Sequence, residues 1–180
     1  MVPEAEGGEL QGVGVRSAAT PAGGFIVLHD LVPGRLDRPL DRTGWRVSAT
    51  HRPEEAHLAI DGRPETRWGT GEAQRPGMAF TVDLGRLEEV GGLTLDARPL
   101  PGDLPRGLRL ETSEDGERWE AVQLEWRGEA AWDGWTVRRL SGGGASYGFP
   151  PRRARLVRLS LSGAAEAHWW SIHELRLYAP

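Results

Sequence analysis

Asp61, Thr66 and Trp68 fall within one short stretch, "AIDGRPETRWGTG" (59–71). A carboxylate, a hydroxyl with its own carbonyl and a large apolar anchor share a loop bearing Gly and Pro. Hard cations such as calcium take about six to eight oxygen ligands, and such a loop can supply several. Gly62 and Pro64 curl the chain so that the carbonyls of Leu58 and Arg63 can turn inward beside Asp61 and Thr66. The same residues also read as an ordinary Asp-Gly turn.

Other chemistry finds no pattern here. The five His are scattered, and no HExxH, GxSxG or phosphate-binding Gly loop occurs. Without Cys there is no thiolate nucleophile, thiolate metal site or disulfide. The chain does not read as an enzyme.

Binding chemistry is better represented. Eight Trp stand beside three Phe and two Tyr. Trp45, Trp68 and Trp119 sit in strand-like motifs and are expected in the core. Trp126, Trp132 and Trp135 occupy the turn-rich "EWRGEAAWDGWTV", and Tyr147 and Phe149 flank the loop "GGGASYGFPP". In "AHWWSI" the adjacent Trp169 and Trp170 should face opposite sides of a strand. Sugar sites join an aromatic platform to planar polar groups. The loops offer His51, Arg75, Arg98, Asp103, Arg106 and His168 beside Trp132, Trp135 and Trp169. Each also reads as a solvated loop charge or a packed ring.

The bulk properties narrow the partners. The net charge is -4 over 180 residues, and all 22 basic residues are Arg. That gives no electrostatic case for nucleic acid and disfavours an anionic membrane. The opening "MVPEAEGGELQGVGV" is acidic and lacks the apolar core of a signal peptide. No apolar run approaches the roughly 20 residues of a membrane span.

The elements that must carry these residues are short strands. "FIVLHD", "WRVSAT", "MAFTVDLG", "VGGLTLDA", "GLRLETS", "RWEAVQLEW", "GWTVRRL", "RARLVRLSLSG" and "SIHELRLY" are separated by Gly, Pro or Asp. In "MAFTVDLG" the alternation puts Met78, Phe80, Val82 and Leu84 on one face. "EEAHLAI" (54–60) suits one helical turn. Residues 1–44 read as an N-terminal arm with one extra strand at 24–31, ending in a charged connector at 35–44. "GGGAS" (142–146) reads as a flexible loop. About eight antiparallel strands in residues 45–180 predict an all-β, jelly-roll β-sandwich.

The order of "WRVSATH", "AIDGRPETRWGTG", "PGMAFTVDLGR", "PRGLRLETSEDGERWEAV", "ARLVRLSL" and "HWWSIHELRLY" resembles discoidin-like domains, the coagulation factor V/VIII type C family. The lack of terminal cysteines favours the bacterial branch, similar to carbohydrate-binding modules of family 32. The resemblance implies a galactose-binding-like jelly roll that recognises ligands through loops at one end, without catalysis. It implies that Glu174 and the carbonyl of His173 complete a structural calcium site with Leu58, Asp61, Arg63 and Thr66. It further implies a glycan or polysaccharide partner, an extracellular or periplasmic setting, and attachment to a larger extracellular or membrane-anchored protein. A protein interaction or assembly module using the same loops and the N-terminal arm is the alternative.

Overall fold

The computed structural model describes residues 14–18, 25–29, 36–127, 130–132, 137–139 and 144–180. The elements run β1 (Gly14–Ala18), β2 (Phe25–His29), β3 (Arg46–Ala49), a 3₁₀ segment (Pro53–Ala59), β4 (Trp68–Gln74) and β5 (Ala79–Asp96). A short 3₁₀ turn (Pro101–Asp103) precedes β6 (Leu108–Ser113), β7 (Glu120–Val122), β8 (Glu125–Arg127), β9 (Ala130–Trp132) and β10 (Val137–Arg139). The chain closes with β11 (Gly144–Leu161), β12 (Ala165–Ile172) and β13 (Glu174–Tyr178). Among the described residues no helix is long and apolar enough to cross a membrane.

Seven strands form the main sheet. Its path is β13-β5-β11-β6-β7, with β3 added on β5 and β8 on β11. The two 18-residue strands, β5 and β11, change neighbours along their length. Val82 on the first half of β5 faces Val47 of β3, whereas Leu95 on the second half faces Leu175 of β13. Register shifts at Gly148/Arg152 and Ala154/Leu156 separate these halves, as bulges do where strands bend between layers. The pair β4–β12 lies over this sheet. Trp68 of β4 meets Phe80 of β5 at 4.9 Å and Trp170 of β12 edge-on at 5.1 Å. The result is an antiparallel jelly-roll β-sandwich, as the strand pattern predicts.

The core follows the predicted alternation. Met78, Phe80, Val82 and Leu84 are all buried, with Leu93, Leu110, Val157, Leu159, Leu175 and Leu177 around them. Trp68 is fully buried, and Trp45 packs on the core from a half-buried position. Trp119 departs from expectation. It precedes β7 and lies on the surface side beneath the Arg158 guanidinium, 3.5 Å from its ring centroid. The alternation of "RWEAV" begins one residue too early, because pairing with β6 starts at Glu120.

Three stretches differ from their sequence reading. The Gly-rich end of the loop read at 59–71 is instead the start of β4 (Trp68–Gln74). Gly144–Ser146 is strand, paired with Thr94–Asp96, rather than part of a flexible loop. The charged connector runs along β13: Leu40 N–H donates to Leu177 O, Ala179 N–H donates to Arg38 O, and Pro39 bridges Tyr178.

The contacts divide the chain into two compact units, Met1–Pro33 with Arg127–Gly142, and Gly34–Trp126 with Gly143–Pro180. The second is the sandwich. In the first, β1 and β2 form an antiparallel hairpin from Gly14↔His29 to Ala18↔Phe25. There β9 pairs with β10, Trp132 opposite Val137, and β2 contacts β9.

Candidate functional site

The loop 61–66 and the start of β13 do come together. Asp61 Oδ1 accepts from the Arg63 N–H at 2.9 Å and Oδ2 accepts from the Thr66 hydroxyl at 2.7 Å. The Thr66 N–H donates to the Arg63 carbonyl at 3.1 Å. Burial pushes the Asp61 carboxyl up, but the Thr66 hydroxyl and the Arg63 amide outweigh it and hold the group below its ordinary value. Glu174, 7% exposed, reaches back so that Oε1 accepts from the Gly62 N–H at 2.8 Å. His173 is buried beside it, its Nδ1 bonded to the Pro64 carbonyl at 2.8 Å. Leu58 sits in the preceding 3₁₀ segment.

One participant was not anticipated. Arg42, in the charged connector, puts Nη2 at 2.5 Å from Glu174 Oε2 and Nη1 at 3.2 Å from Oε1. Nη1 also donates to the Ile60 carbonyl at 2.9 Å. Every carboxylate oxygen of Asp61 and Glu174 thus already accepts from an N–H or O–H. A hard dication needs about six to eight oxygens drawn to roughly 2.3–2.6 Å, and at Glu174 it would have to compete with the Arg42 guanidinium on both oxygens and the Gly62 N–H on Oε1. Arranged this way, the residues do not fit such an ion.

The second cluster surrounds Trp169. On β12, Ala165 opposes Gln74 and Trp169 opposes Ala73, so residues 166–168 have no opposite number on β4. Such a bulge re-aims a side chain. Trp169 is 38% exposed while Trp170 is fully buried, the opposed facing expected of that pair. Buried Gln74 fixes the platform from below. Its amide N donates to Trp169 O at 2.8 Å and Leu104 O at 3.1 Å, and its Oε1 accepts from Arg106 N–H at 2.9 Å.

Two guanidinium groups lie over the indole, and further charged groups pair with one another on the neighbouring segments. The Arg52 and Arg67 guanidinium carbons lie 5.5 and 6.0 Å from its ring centroid. His51 Nε2 is 2.7 Å from Glu72 Oε1, and Arg75 forks onto both Glu72 oxygens at 2.7 and 3.1 Å. Buried Asp103 accepts from Ser171 Oγ at 2.8 Å and stands 3.5 Å from Arg67 Nη1 and 3.9 Å from His168 Nδ1. The core reaches this rim directly. Trp68 Nε1 donates to the His51 carbonyl at 2.8 Å, next to Arg52, whose φ of 44° is left-handed. Gly71, at φ 75°, leaves room for Arg52: a Cβ there would stand 2.6 Å from Nε.

The structure thus draws His51, Arg75, Asp103, His168 and Trp169 from four separate segments. Asp103 is a buried support rather than a loop charge in water. Arg106 turns its guanidinium onto the carbonyls of Leu104 and Gly102, where it closes its own loop. Arg98 forks onto Asp96. Burial raises the Asp96 carboxyl, but the Arg98 hydrogen bonds more than reverse this and leave it below its ordinary value. Tyr147 and Phe149 are buried in β11 and offer no platform. Trp132 lies on β9, and Trp135 falls outside the described residues. Sequence reading missed Arg52, Arg67, Glu72 and Gln74. Only the adjacency of Arg52 to His51 and of Arg67 to Trp68 hinted at the first two.

A family model described as F5/8 type C domain matches residues 45–175. No curated protein matches the chain. Among solved structures, it is similar to the module CpGH89CBM32-5 from Clostridium perfringens, in complex with GalNAc-β-1,3-galactose. Identity there is 24%, the TM-score is 0.60, and the match covers 78% of this chain and 99% of that one. A family 32 carbohydrate-binding module from C. perfringens NanJ, in complex with galactose, matches at 21% identity and a TM-score of 0.55, covering 78% and 98%. Chitosan-binding module 1 of a chitosanase/glucanase from Paenibacillus sp. IK-5 matches at 22% and 0.57, covering 76% and 95%.

Proposed function

We infer function from the family and the site together: the chain belongs to the F5/8 type C domain family, and we propose that it is a non-catalytic carbohydrate-binding module. The observation that carries this is the exposed Trp169 indole, its backbone tied by Gln74 and its ring approached by Arg52 and Arg67, with the His51–Glu72 and His168–Asp103 pairs on the segments that carry these residues. A flat apolar face takes up the C–H face of a sugar ring, and planar donors and acceptors at its edge bond to ring hydroxyls. The neighbours' ligands, GalNAc-β-1,3-galactose, galactose and chitosan, support a glycan partner.

A binding module of this kind serves a larger extracellular or membrane-anchored protein by holding it to its glycan. No part of this reading requires a metal. Glycan-array screening with galactosides, amino sugars, chitosan fragments, glucans and cell-wall glycans tests it. Retention of at least one class is expected, and silence across all of them would remove the proposal.

A further inference from the structure

We propose that the Arg42 guanidinium is the cation of the loop clip. It takes both oxygens of Glu174, the carboxylate that the family resemblance implies for a divalent ion, and with the Ile60 carbonyl it ties loop 60–66 to β13 without metal.

The placement follows from the backbone. Residues 38–40 run antiparallel to β13, with Ala179 N–H on Arg38 O and Leu40 N–H on Leu177 O. Continuing two residues brings residue 42 level with the start of β13, where Glu174 begins the strand. Arg42 O then accepts from the Trp45 N–H, and Thr43 N–H donates to Asp41 Oδ1, so the chain turns away immediately after. The side chain is left pointing at the clip.

The guanidinium joins three segments: its own, the Ile60 carbonyl and both oxygens of Glu174. A planar fork matches a carboxylate in a way that a point charge does not. It also carries the positive charge that a mostly buried carboxylate needs. A dication at Glu174 would have to remove the Gly62 N–H from Oε1 and Arg42 from both oxygens, and would sit against a like charge. Arginine is permanently charged and cannot be chelated away. The clip is therefore independent of calcium supply.

The test uses the full chain. Melting is followed with calcium chloride at millimolar excess and after EDTA, and bound calcium is measured by atomic emission. An ion held only by the folded state would raise Tm by about 5–10 °C at a hundredfold excess over its Kd. We expect no shift in either direction and no stoichiometric calcium. Arg42→Gln should lower Tm by several degrees, and Arg42→Lys, which keeps the charge without the fork, by less. A wild-type Tm that rises with calcium or falls with EDTA overturns the proposal. So does an Arg42→Gln protein as stable as wild type. Should Arg42→Gln fail to fold, the wild-type calcium response and Arg42→Lys decide the matter.

Discussion

The side chain of Gln74, buried in β4, holds the backbone of Trp169 across the strand pair by a 2.8 Å bond from its amide to the Trp169 carbonyl. The same amide group holds Leu104 O and Arg106 N–H. One buried residue therefore registers the aromatic platform against the loop that carries Asp103. Its replacement should disturb stability and binding together. Gln74→Leu would leave three backbone groups without a partner, at about 1–3 kcal/mol for each group that stays buried. The expected outcome in urea unfolding is a loss of about 2–4 kcal/mol, with weaker glycan retention. A loss too small to measure would show that Gln74 does not organise the site.

Trp68 links core to rim. Its ring packs on Phe80 and Trp170, and its Nε1–H fixes the His51 carbonyl. Trp68→Ala opens a cavity in a fully buried position and should cost about 3–5 kcal/mol. Trp68→Phe keeps most of the packing but frees the His51 carbonyl. That variant should fold, with glycan affinity reduced more than its stability suggests. Unchanged affinity in Trp68→Phe would separate the His51 backbone from binding.

Gly102 lies so close to His168 that a Cβ there would run into the imidazole. His168 is exposed and free to swing away. Gly102→Ala should therefore move His168 off Asp103 with a stability change under about 1 kcal/mol. Affinity should fall several-fold. A Tm collapse would mean that the backbone, rather than the His168 side chain, had to move.

Acid should weaken the sheet at Asp83. Hydrogen bonds from Arg155 at 2.9 and 3.0 Å, outweighing the opposing effect of burial, hold its carboxyl below the ordinary value. A depressed carboxyl contributes stability above its unfolded pKa of about 3.9 and loses it as pH falls through the folded value. The pair is partly exposed, so the contribution is modest, about 0.5–1 kcal/mol. Asp83→Asn should be the less stable protein at pH 7, with the gap closing below about pH 4. A gap that stays unchanged as pH falls through the acid range would assign the effect to packing instead.

Much of this architecture was legible in the chain. The alternation through Met78, Phe80, Val82 and Leu84 marked a buried strand face, and the opposed facing of Trp169 and Trp170 followed from period-two geometry. Asp61, Thr66 and Glu174 could be brought together by family motif order. What could not be read depended on long-range pairing. Strand β4 forms through β12 despite the glycines of "WGTGEAQ". Arg42 is one of 22 arginines, and nothing local distinguishes it; only its run along β13 delivers it to Glu174. Arg52 and Arg67 converge on Trp169 from either side of the clip loop, a meeting that no spacing rule describes.

The most direct measurement compares wild type with Trp169→Ala on the glycan best retained in the array, by affinity electrophoresis or calorimetry. The indole is exposed and its backbone carbonyl is retained in the variant, so Tm should change little. Glycan affinity should drop at least tenfold, the equivalent of about 1.4 kcal/mol. A Trp169→Ala protein that binds the same glycan as tightly as wild type would contradict the assignment of this face as the binding site.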